Sequence, residues 1–99
     1  MTDRVFDALG DPTRRLLLER LGTSGPGSAS ELAGKLPVSR QAVAKHLAQL
    51  EEAGLVGRRR RGRSVEFHLI ASGLDEVARW TERVGGEWSQ RLRRLEEGP

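Results

Sequence analysis

Along most of this chain apolar residues return every three or four positions, the spacing of helices that bury one face. A first short helix is expected over 3–9, ending near Gly10. Asp11 and Pro12 open a second. Asp11 can cap free amides, and Pro12 gives up no hydrogen bond at the first helical position. Leu16, Leu17 and Leu21 form its stripe, Leu18 widens it, and Gly22 is expected to stop it. Turn-forming residues fill 23–27. Ser28 and Glu31 then have the spacing of a capping box, opening a short helix that carries Leu32, Ala33 and Leu36 and closes at Pro37. Ser39 caps a fourth helix over about 40–53, which buries Val43, Leu47 and Leu50 and stops at Gly54.

The period then changes. Val65, Phe67 and Leu69 alternate with Glu66 and His68, the pattern of a half-buried strand. With 55–61 as its partner and Gly62-Arg63 as a two-residue turn, this is a hairpin in which Arg59 faces Glu66. A long final helix is expected over 72–96, and Leu74, Val77, Trp80, Val84, Trp88, Leu92 and Leu95 make one stripe along it. At 1.5 Å per residue that stripe is about 32 Å long, more than three short helices and a hairpin can cover. Together with Val5 and Phe6 of the first helix it reads as a dimer interface, where aromatic anchors dominate. An effector pocket around Trp80 and Trp88 is the alternative. Gly85 and Gly86 each cost a helix about 1 kcal/mol relative to alanine and mark either a kink or a close helix–helix approach. The fold class is mostly α with a β-hairpin, in one domain over 1–99.

Charge sharpens this picture. The net charge is +3, yet residues 39–63 alone hold seven basic residues against two acidic ones, so the rest of the chain is net negative. That asymmetry is the footprint of a polyanion partner; a solvated basic loop is the plainer reading. Only 36% of residues are apolar, so the core is modest and dimerisation would bury more. The absence of cysteine excludes disulfides, thiolate metal sites and a cysteine nucleophile, and fits a reducing cytosol. The N-terminus has no secretory pattern, and no run approaches the roughly 18 apolar residues of a membrane span. A cytoplasmic chain with no membrane partner is expected. No motif places a Ser/His/acid set or a glycine-rich phosphate loop, so no enzyme is expected.

Two short helices joined by 37–39 and followed at once by a basic hairpin have the order of a winged helix-turn-helix. The helix-turn-helix spans about 28–53, the wing about 55–70, and the dimerisation helices about 3–9 and 72–96. Such a second helix enters the major groove of double-stranded DNA with its first residues at base edges. The candidate contacts there are Ser39, Arg40, Gln41, Ala44, Lys45 and His46. Gln41 can bond adenine bidentately, Lys45 suits a phosphate, and Ala44 allows close approach or a thymine-methyl contact. His46 is read either as a packed, hydrogen-bonded histidine or as a phosphate contact. Arg58, Arg60 and Arg63 are the wing candidates, with Arg63 at the turn the best placed for phosphate or minor groove.

These residues carry a family resemblance. The run from Leu9 through Gly10, Asp11, Pro12 and Thr13 to Arg14 resembles the opening of ArsR-type repressors. Glu31-Leu32-Ala33 is similar to the start of their third helix. Ser39, the run Val43 to Leu47, Leu50 and the run Ala53 to Val56 resemble their recognition helix and its exit. Arg60, Gly62, Arg63, Val65, Phe67 and Leu69 resemble their wing. The resemblance covers about 4–95 and implies a homodimeric DNA-binding repressor on a near-palindromic operator, paired through its first and last helices. Metal-sensing members carry cysteines in the third helix or His/Asp/Glu sets in the last. Here Ser30 to Lys35 holds no thiol, and Asp75, Glu76, Glu82 and Glu87 stand without a histidine. The chain therefore resembles non-metal members, some of which repress their own operons, and neither metal nor other cofactor is expected. No motif names a small-molecule effector. The rival reading is a winged-helix protein–protein interaction module, docking through its long apolar helix, with incidental DNA binding.

Overall fold

A computed structural model describes residues 2–97. Its elements are α1 (Thr2–Leu9), α2 (Pro12–Ser24), α3 (Ala29–Ala33), α4 (Arg40–Glu52), β1 (Val56–Arg61), β2 (Ser64–Leu69), a 3₁₀ turn (Ala71–Leu74) and α5 (Asp75–Glu97). The helix starts follow from their caps. The Arg14 backbone N–H donates to Asp11 at 3.0 Å, and the Ala42 N–H donates to the Ser39 hydroxyl at 3.1 Å. Ser28 and Glu31 form a reciprocal capping box. Each such cap is worth about 1 kcal/mol.

Leu17, Leu18 and Leu21 of α2, Leu32 of α3, and Val43, Leu47 and Leu50 of α4 close around Leu55, Val56 and Phe67 to make the core, with Val5 and Ala8 of α1. Two expectations for α2 are corrected. Leu16 is not part of its buried stripe but lies exposed beside Leu36, Pro37 and Val38. The helix also does not stop at Gly22; it runs on to Ser24 and ends at Gly25, whose N–H returns to Leu21. Gly22 is exposed, and a Cβ there would meet only the Leu69 side chain at ordinary van der Waals distance; glycine's helix cost of about 1 kcal/mol is too small to end the helix by itself.

β1 and β2 pair antiparallel in the expected register, with Arg59 opposite Glu66 and Arg61 opposite Ser64. The Gly62-Arg63 turn has its positive φ at Gly62 alone (62°), as glycine first in a two-residue turn requires. The other edge of β2 is bridged: the Gly27 N–H donates to the Phe67 carbonyl at 3.0 Å and the Phe67 N–H to the Gly27 carbonyl at 2.8 Å. The loop before α3 is thereby stitched to the wing. Gly73 approaches the Gly54 carbonyl so closely that a Cβ there would collide with it.

α5 is an unbroken helix through Gly85 and Gly86. It carries the molecule out to 65 × 28 × 20 Å with a radius of gyration of 17.1 Å, against about 13 Å for a compact domain of this size. No described helix is long and apolar enough to cross a membrane.

Candidate nucleic-acid interface

The burial of Val43, Leu47 and Leu50 fixes the rotation of α4. It leaves Ser39, Arg40, Gln41, Ala44 and Lys45 exposed on the opposite side of its first turns. One flank of that surface faces the wing across an open groove of about 470 Å³, lined by Ser28, Ser30, Arg40, Ala44, Arg63 and Val65 among others. The start of the helix and the wing turn therefore present cationic side chains to one shared concavity.

His46 lies elsewhere. It is half-buried on the far side of α4, its Nδ1 3.5 Å from Arg14 Nη1 and 4.0 Å from Asp11 Oδ2. Arg14 is the hub there. It donates from Nε to the Ala8 carbonyl at 2.7 Å, from Nη2 to the Asp7 carbonyl at 3.1 Å, and from Nη1 to Gln49 Oε1 at 2.8 Å. The hydrogen bond from the Arg14 backbone, and then the nearby His46, hold the Asp11 carboxyl below its ordinary range.

The wing arginines divide by strand face. Arg58 pairs across from Phe67 and Arg60 from Val65, while Arg59 and Arg61 share the opposite face with Glu66. Arg58 is tied back to α4: its Nε and Nη2 donate to the Glu51 carboxylate at 2.9 and 2.8 Å, and its guanidinium stacks 5.1 Å from the Phe67 ring centroid. The Glu51 hydrogen bonds push the Arg58 guanidinium above its usual range. Glu66 Oε1 stands 3.7 Å from Arg61 Nη1 and 3.9 Å from Arg59 Nη2. Among the described residues no carboxylate lies within ion-pair distance of Arg40, Lys45, Arg60 or Arg63.

The apolar stripe of α5 also divides. Val5 of α1 is buried in the protomer's own core, while Leu74 of the 3₁₀ turn and Val77 of α5 are half-buried against it. The reason is geometric: the 3₁₀ turn brings the first residues of α5 back against the helical body. Phe6 meets Trp80 edge-on, ring centroids 5.5 Å apart. Beyond that contact Trp80, Val84, Trp88, Leu92 and Leu95 are all exposed, Trp88 by 58%.

Residues 9–59 match the family model described as a helix-turn-helix domain. The HTH-type transcriptional regulator Rv2034 of Mycobacterium tuberculosis is 47% identical over 89 residues, 85% of this chain and 82% of that protein. The chain belongs to the ArsR-type winged helix-turn-helix transcriptional regulators. An ArsR-like transcriptional regulator from Rhodococcus sp. RHA1 superposes with a TM-score of 0.74 at 43% identity, covering 96% of this chain and 89% of that one. The transcriptional repressor SdpR of Bacillus subtilis is 30% identical over 79% of this chain and 86% of its own length. This ArsR-type chain is thus a DNA-binding regulator, and regulators of this kind are generally not enzymes.

Nothing in the pattern of the sequence singles out Glu51, or marks Arg14 as a hub. Strand alternation points to the pairing of Glu66 with Arg59. The Glu51–Arg58 and Arg14–Gln49 contacts join different elements and left no periodic signal.

Proposed function

We propose that this ArsR-type regulator is a homodimeric repressor, acting in the cytoplasm as one domain over 1–99, that reads a near-palindromic duplex site without a metal. The observation that carries the reading is the shared groove between the exposed start of α4 and the wing turn, with Arg40 and Arg63 on its two sides. Gln41 reads a base, Ala44 permits close approach, Ser39 and Lys45 lie at the adjoining backbone, and Arg60 and Arg63 hold phosphates beside it. Arg58 and His46 serve from within, Arg58 bracing the wing against Glu51 and His46 filling the space beside Arg14.

The dimer is supported by the stripe of α5 beyond the Phe6–Trp80 contact, where Val84, Trp88, Leu92 and Leu95 are exposed. The repressor role is supported by the likeness to SdpR. A metal-independent response is supported by the ligand chemistry. The chain has no cysteine, and the carboxylates of α5 have no histidine among them. The same stripe also suits a different protein partner, and mass settles which. Light scattering is expected to give a dimer at low micromolar concentration, and genomic fragments selected on the protein are expected to share an inverted repeat. A monomer that selects no common sequence overturns the reading.

A further inference from the structure

The wing carries five arginines, yet its geometry leaves only two of them without an acidic partner among the described residues. Arg58 is fixed by Glu51. Arg59 and Arg61 share Glu66, and the contrast within that trio is informative. The two arginine side chains are 64% and 73% exposed, whereas the Glu66 side chain is 19% exposed and its Oε1 is buried with no hydrogen bond. Between two exposed groups such pairs would be worth little. Here the shared partner is a buried oxygen, so the coupling, which is the same for both members of each pair, is stronger than at the surface, and losing both guanidinium groups would leave an uncompensated charge.

We propose that Glu66 is a specificity-determining residue that mimics a phosphate inside the wing, holding Arg59 and Arg61 back from the DNA backbone and lowering sequence-independent affinity. This rests on the reading of the wing as a DNA contact. Five free arginines would bind any duplex through counterion release, an affinity that carries no sequence information. With Arg59 and Arg61 engaged on the outer face of the hairpin, the wing's share of sequence-independent attraction falls to Arg60 and Arg63. A larger share of the total then comes from the base contacts of α4. When a wing arginine does reach for a phosphate, the buried Glu66 oxygen draws it back.

The test is Glu66→Gln in the full chain, titrated by fluorescence anisotropy against a 30-base-pair duplex of random sequence between 50 and 200 mM salt. Non-specific affinity at the low-salt end is expected to rise by roughly fivefold, and the slope of log affinity against log salt to steepen by about 0.9 for each arginine released. Adding Arg59→Gln and Arg61→Gln to that variant is expected to return the slope to the wild-type value. Glu19→Gln, on the exposed face of α2, makes the same change in net charge and is expected to leave the slope unchanged. Circular dichroism melting establishes that each variant is folded. A folded Glu66→Gln chain with wild-type slope and affinity overturns the proposal, as does a Glu19→Gln chain that reproduces its gain. A wild-type chain with no salt-dependent binding at all overturns the interface itself.

Discussion

Arg14 of α2 holds Gln49 of α4 at 2.8 Å while its other guanidinium nitrogens bind the last carbonyls of α1. One side chain therefore joins three helices behind the candidate reading surface. Cations suit the C-terminal end of a helix, where carbonyls lack intrahelical donors. Arg14→Ala is expected to cost roughly 3 kcal/mol, about 1 kcal/mol for each of three lost hydrogen bonds, the extra worth of a charged donor being offset by the exposure of two of them. Thermal melting checks it, with a fall in Tm of several degrees. A Tm within 1 °C of the parent shows the hub to be idle.

The two halves of the proposed interface separate by mutation. Gln41→Ala is expected to relax base preference at one position of each half-site, costing about 1–3 kcal/mol on the selected sequence and little on random DNA. Arg63→Ala is expected to weaken all sequences alike and to flatten the salt slope by about one per wing. Parallel titrations of selected and random duplexes distinguish the two. Identical behaviour of both variants contradicts the division of labour.

Trp88 is exposed on the stretch of α5 that leaves the body. Trp88→Ala is expected to weaken self-association by about 2 kcal/mol or more, the loss typical of an aromatic interface anchor. The protomer fold should be intact. Light scattering across a concentration series reads the first effect and circular dichroism the second. An unchanged dimer mass at low micromolar concentration removes Trp88 from the interface.

Two capping carboxylates set an acid limit. The Arg14 backbone bond lowers the Asp11 carboxyl, and the Ser28 backbone bond lowers that of Glu31. A carboxyl depressed by folding contributes stability that is present above its unfolded value and is lost as pH falls through its folded value. Melting temperature is therefore expected to hold steady at neutral pH and drop below about pH 4. Asp11→Asn or Glu31→Gln should remove part of that acid dependence. An undiminished drop in both variants places its origin elsewhere.

The helical frame was legible in the chain because its signals are local. Caps at Asp11, Ser28 and Ser39, the Val43/Leu47/Leu50 stripe and the turn at Gly62-Arg63 each depend on residues within a few positions of one another. Gly22 passes through a helix that ends only at Gly25, whose φ is positive. What else escaped was set by tertiary contact. Val5 turns inward because α2 and α4 meet α1. Arg58 looked like any other member of an arginine run, and only Glu51, one helical element away, distinguishes it.

The two-bonded bridge between Gly27 and Phe67 joins the wing to the loop that opens α3. Wing and reading helix consequently travel as one solid jaw, with a fixed gauge. In a pair of such jaws, an operator with wider or narrower half-site spacing has to be met by swinging one protomer against the other. In the proposed homodimer the adjustable joint would then lie at the α5 surface between protomers, and substitutions there would retune which spacing is preferred while each half-site sequence stays the same.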